Sequence, residues 1–130
     1  MMTTILTDAG AFTAETSNAL HLKPDDVERI TGWTLKPEGL CRGPVCVPLK
    51  SAVTPDGRVD LAAFWRHLGN PLVMDEARET WVLGTGAEDR NASLTGLMAP
   101  DITLPDLAGT PHTLSALRGQ KILLTTWASW

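Results

Sequence analysis

At 130 residues, 43% apolar and 20% charged, the chain has the composition of one ordinary folded domain with a little to spare. A formal charge of −4 with eleven scattered Lys and Arg excludes the clustered cationic patch that nucleic acid or an anionic membrane surface requires. No apolar run approaches the roughly 20 residues that span a bilayer, and the start lacks the basic-then-apolar layout of a secretory signal. A cytoplasmic protein with no nucleic-acid and no membrane partner is therefore expected, with its oligomeric state open.

Met1 to Asn18 is weakly patterned, with Ile5-Leu6, Ala11-Phe12 and Ala19-Leu20 as apolar spots among Thr, Ser and Ala. A short helix and a frayed arm both fit, so residues 1–20 are expected as an N-terminal arm. Pro24 to Gly32 reads as a short helix: Pro in the first turn, Asp25, Asp26 and Glu28 at the positive end of the dipole, and Gly32 at the stop. Val27, Ile30 and Trp33 supply its apolar side. Leu35 to Leu49 holds three Pro and two Gly, which predicts a loop-rich segment with short extended pieces.

Asp60 is a good N-cap for Leu61 to Leu68, where Leu61, Phe64, Trp65 and Leu68 fall at helical spacing. Pro71 to Asp75 and Thr80 to Gly84 read as a β-hairpin with an apolar face, turning at Glu76-Ala77-Arg78. Residues 21–84 thus form a small α+β module, and residues 85–97, rich in Gly, Asp, Asn, Ser and Thr, are expected as a linker.

Beyond the linker, Ile102 to Leu107 alternates apolar and polar residues with Pro105 near its end, as in a short edge strand. Thr113 to Leu117 runs from an extended piece into a short helical turn that stops at Gly119. Ile122 to Trp127 is apolar or β-branched throughout, the pattern of a strand covered on both faces. Full burial of such a run is worth on the order of 10 kcal/mol, available only where a sheet and helices cover it; without them residues 122–130 are expected to be frayed, paired with the strands of 101–117, or packed onto the N-terminal module.

The ordered series Ala99-Pro100-Asp101, Leu104-Pro105-Asp106-Leu107, Leu114-Ser115, Leu117-Arg118-Gly119 and Trp127-Ala128-Ser129-Trp130 resembles the opening of a thioredoxin-like redoxin, the AhpC/TSA peroxiredoxin and TlpA-like thiol oxidoreductase group. The resemblance covers residues 98–130. It implies an incomplete thioredoxin-like α/β domain after the α+β module, in which a strand delivers a catalytic Cys to a helix N-terminus that lowers its pKa. Trp127, Ala128, Ser129 and Trp130 would flank that active site. The family's Cys would follow Trp130, so no catalytic residue carries over, and the chain is expected to be a fragment that is inactive alone. For the intact parent the resemblance implies a thiol/disulfide or peroxide substrate, with the disulfide form narrowly favoured, and no cofactor.

Cys41-Arg42-Gly43-Pro44-Val45-Cys46 is the one constellation in the module that bears chemistry: Arg42 adjacent to a thiol favours a thiolate, and a Gly-Pro turn brings the two sulfurs together. Three readings stand: two small packed side chains, a redox pair, and a metal or cluster site. The spacing is wider than C-x-x-C, and no second Cys or His pair completes a zinc set, so no metal is expected. His21, His67 and His112 are too dispersed to help. Gly84-Thr85-Gly86 is not a dinucleotide fingerprint, since Asp89 stands in place of its third Gly. Three functions follow for the chain: part of a thiol oxidoreductase; a non-catalytic ligand-, metal- or protein-binding module using the Cys41–Cys46 loop; or a structural domain that recognises a protein through Trp33 or Trp81.

Overall fold

The structure is a computed structural model that describes residues 1–17 and 19–129. It divides into two units, Met1–Arg90 and Asn91–Trp130.

The first unit opens with a hairpin. Met2–Thr7 (β1) and Gly10–Glu15 (β2) pair antiparallel, with Thr7 opposite Gly10 across an Asp8-Ala9 turn. This corrects the helix or frayed arm expected for residues 1–20. Side chains alternate between a buried face, Thr3 and Ile5, and a half-buried one, Thr4 and Leu6, and β-branched Thr and Ile suit a pleated surface. The buried Thr3 hydroxyl is matched by that of Thr16 at 2.6 Å, which satisfies a polar group that burial would otherwise penalise.

His21–Leu22 (β3) leads into the expected helix, Pro24–Thr31 (α1), which buries Val27 and Ile30. Thr34–Lys36 (β4), Gly39–Arg42 (β5) and Val45–Val47 (β6) then form a three-stranded antiparallel sheet in that order. Here Pro37, Gly43 and Pro44, read as loop formers, sit in two-residue turns, Pro37-Glu38 and Gly43-Pro44, while Gly39 opens β5 and Pro48 follows β6. A short 3₁₀ turn at Lys50–Ala52 and the strand Val59–Asp60 (β7), paired with β3, precede Leu61–His67 (α2). Asp60 caps α2 as expected, its carboxylate accepting the Ala63 N–H at 2.9 Å.

The expected hairpin follows as Leu72–Met74 (β8) and Thr80–Leu83 (β9). The β1–β2 and β8–β9 hairpins, one from each end of the unit, join through β1 and β9, which run parallel, giving a four-stranded sheet in the order β2-β1-β9-β8. All the other elements of the module fill the crossover between them, as a parallel pair demands. Ile5, Trp81 and Leu83 from the sheet meet Val27 and Ile30 from α1 and Leu61, Phe64 and Trp65 from α2 in one core. Trp33 stands edge-on to Phe64 with ring centroids 5.1 Å apart, and the Trp65 indole N–H reaches the Gly84 carbonyl at 3.0 Å. The segment expected as linker carries a helix, Ala87–Thr95 (α3), which opens with Glu88 and Asp89 at its positive end and buries no side chain.

In the second unit Thr103–Pro105 (β10) and Pro111–Thr113 (β11) make a hairpin, and Leu114–Leu117 forms a 3₁₀ turn whose Ser115 N–H is held by the Asp101 carboxylate at 2.9 Å. Ile122 to Ser129 has no regular structure and no described residue of this unit is buried. The strand pattern at 122–127 is not realised, because backbone N–H and C=O groups need a neighbouring strand and none of the described residues pairs here; of the three outcomes expected for this segment without its covering layers, the unpaired one is found. Among the described residues no helix is long and apolar enough to cross a membrane.

Candidate functional site

The site is the β5–β6 hairpin. Its turn, Gly43-Pro44, puts Gly43 at φ +57°, the left-handed first position of a tight hairpin turn, while Pro44 supplies the negative φ that must follow. Arg42 and Val45 close the turn, which fixes the register so that Cys41 faces Cys46. The two are joined by a disulfide, with their Cα atoms 4.0 Å apart. That separation belongs to the close type of antiparallel pair, in which the two residues do not exchange backbone hydrogen bonds with each other.

Gly39 permits this approach. At φ +133° it starts β5, and a Cβ there would fall onto the Val47 carbonyl of the neighbouring strand. The two sulfurs end in different surroundings. Cys41 lies on the central strand between Thr34 of β4 and Cys46 of β6 and is only 3% exposed, whereas Cys46 lies on the edge strand and is exposed.

Arg42 does not serve the sulfurs. Adjacent residues on a strand point to opposite faces, so its guanidinium leaves the disulfide side, stacks 4.7 Å from the Trp33 ring and bonds the Asp89 carboxylate at 2.6 Å. The expectation that it favours a Cys41 thiolate is corrected by this alternation. Asp89, 47 positions away, carries no local signal of that role in the sequence. A cleft of about 380 Å³ touching Phe12, Arg29 and Trp65, and another of about 300 Å³ touching Trp33, Leu68 and Asn70, both reach the Arg42–Asp89 pair. The Trp33 indole nitrogen is buried and has no hydrogen-bond partner among the described residues.

The remaining candidates stay apart from this chemistry. Trp127, Ala128 and Ser129 belong to the second unit, where Trp127 is 85% exposed, and Trp130 lies outside the described residues. His21 faces Asp60 at 3.4 Å, His67 is exposed at the end of α2, and His112 bonds Asp106 at 2.9 Å. Among the described residues no group of three or more His, Cys, Asp or Glu gathers where a metal ion would be held. The chain matches no family model, no curated protein and no solved structure.

Proposed function

We propose that this chain is part of a thiol–disulfide oxidoreductase and that Cys41–Cys46 is the redox pair it carries. The observation behind the reading is the hairpin disulfide between one exposed and one buried cysteine. Thiol exchange needs an accessible sulfur to be attacked and a partner sulfur to leave, and the pair offers both. Its structural contribution is small. A cross-link between residues 5 apart in sequence closes so short a loop that chain entropy makes it worth about 2 kcal/mol, less than long-range bridges supply. Reduction therefore leaves the core of the first unit standing. The resemblance of residues 98–130 to a redoxin opening supports the same class of chemistry for the parent protein, with disulfides preferred to peroxides as substrates.

Two measurements test the proposal. Dithiothreitol followed by iodoacetamide and intact-mass analysis should add two alkyl groups while the circular dichroism of the folded chain persists; resistance to reduction until the chain is denatured would make the bridge a structural staple. Reading the coding sequence past Trp130 tests the redoxin half. A Cys codon, or a UGA codon decoded as selenocysteine, with a thiol completing a C-x-x-C spacing supports it. Any other continuation, or a terminating stop, removes it and leaves the Cys pair alone.

A second reading, a non-catalytic binding module, draws on the two clefts that meet at Arg42–Asp89. Saturable ligand binding that is indifferent to reduction and lost in Arg42→Ala would favour it over exchange chemistry.

A further inference from the structure

We infer that the open edge of β6 is a docking strand for an extended, cysteine-bearing segment of a partner protein, and that the partner's thiolate attacks Cys46. The inference rests on the thiol–disulfide reading above and adds to it the attacked sulfur, the direction of approach and the form of the substrate.

Three observations converge on that edge. The sheet order is β4-β5-β6, so nothing pairs with the far side of β6 among the described residues. In the close type of antiparallel pair each residue turns its backbone N–H and C=O away from the other, so those of Cys41 face β4 and those of Cys46 face the empty side. Among the described residues no turn, loop or cap hydrogen bond involves the Cys46 backbone. One residue of β6, the exposed Cys46, thus presents one donor and one acceptor to an incoming strand. Val45 and Val47 turn theirs toward β5, and Pro48 has no N–H to offer, so the docking strand is short and centred on Cys46.

The exchange geometry selects the same side. Thiolate attack proceeds from the side opposite the leaving sulfur, and Cys41, the leaving partner of Cys46, sits on β5, on the side of Cys46 away from the open edge. An attacker of Cys46 arrives from the open edge, while an attacker of Cys41 would have to arrive from the side where Thr34 stands. A partner Cys set opposite Cys46 in the hydrogen-bonded type of pair has its Cα about 5.5 Å away, inside the range a disulfide bridges.

The partner is a protein dithiol presented on an extended segment. Its first thiolate forms a bond to Cys46 Sγ as the Cys41–Cys46 bond breaks, the electron pair and then a proton going to Cys41 Sγ. Its second thiol, as thiolate, attacks the partner sulfur of the mixed disulfide and expels Cys46 as a thiolate that takes the second proton. The partner ends as a disulfide and the hairpin as two thiols, a two-electron exchange.

The experiment uses the full oxidised chain and an acetylated, amidated single-thiol peptide of sequence TVCVT, beside a twin in which the Cys backbone nitrogen is methylated. Mixed-disulfide formation is followed by acid quench and mass spectrometry, with the site mapped by digestion. Capture at Cys46, slowed about tenfold in the methylated twin by the loss of one strand hydrogen bond, is the expected result. Capture at Cys41, equal rates for the two peptides, or no capture while dithiothreitol reduces the pair would each overturn the docking strand and leave the thiol–disulfide reading intact. Failure of dithiothreitol to reduce the folded chain overturns both.

Discussion

The first unit buries Ile5, Trp81, Phe64 and their neighbours completely or nearly so, whereas the second unit buries none of its described residues, although Ile122 to Trp127 is apolar or β-branched at every position. Leu123 is 89% exposed there, while Leu61, no more hydrophobic, is fully buried on α2. Hydrophobicity alone does not bury a strand. Ile5 and Trp81 go inside because β1 finds β2 on one side and β9 on the other, which satisfies its backbone before its side chains are covered. The second unit has one short hairpin, and a two-stranded hairpin offers too little surface to cover a third segment.

The contrast is sharpest in truncation of apolar side chains. Phe64→Ala should cost about 3–5 kcal/mol of first-unit stability, a large share of what a small domain has, while Leu123→Ala should stay within about 0.5 kcal/mol. Denaturant melts of the two variants check this. Comparable losses would mean that Leu123 is packed in solution and would erase the distinction between the units.

Next in size is the backbone at the site. Gly39→Ala forces a side chain into a left-handed conformation and onto the Val47 carbonyl, which should cost about 1–3 kcal/mol and loosen the β5–β6 register. A faster rate of disulfide reduction should accompany the lower melting temperature. An unchanged rate would show that register does not control access to the sulfurs.

A smaller loss, about 1 kcal/mol, is expected for Asp60→Ala, since the Ala63 N–H loses its cap. Asp60→Asn should recover most of it, because an amide oxygen also accepts that bond. If neither variant moves the melt, α2 is held by its buried face alone.

The smallest effect belongs to the second unit and to acid. His112 beside Asp106, with the Thr110 and Ala108 N–H groups, holds its carboxyl below the usual carboxylate range. Folding lowers this pKa, so the stabilisation is present above about pH 4, the ordinary aspartate value, and fades as pH falls through the lower folded one. Amide protection of Ala108 and Thr110, followed by NMR against pH, should persist through about pH 4 and be lost only as pH falls through the lowered pKa of Asp106, with the core amides of β1 and β9 unaffected over the same step. Loss of protection near neutrality would break the assignment to Asp106.

Much of the first unit was legible along the chain. Pro24 and the acids behind it start α1, Asp60 caps α2, and the alternation about Glu76 to Arg78 closes the β8–β9 hairpin, because each depends on residues a few positions apart. Where expectation and structure part, the cause is also local: Pro37, Gly43 and Pro44 signal turns equally well in a loop and between short strands, and only the pairing of β4, β5 and β6 separates the two cases. The helix α3 arose in a segment whose polar composition resembles a linker.

The sequence by itself placed Cys41 and Cys46 on either side of a Gly-Pro turn, near enough in the chain to meet; the facing register came with the pairing of β5 and β6. Tertiary structure decided what the pair can do. The central place of β5 covers Cys41, the edge place of β6 opens Cys46, and strand alternation hands Arg42 to Asp89 across 47 positions. Burial, edges and long-range ion pairs are properties of which strands become neighbours, and that choice is made by packing distant segments such as β1 and β9 around one core, not by any run of residues read alone.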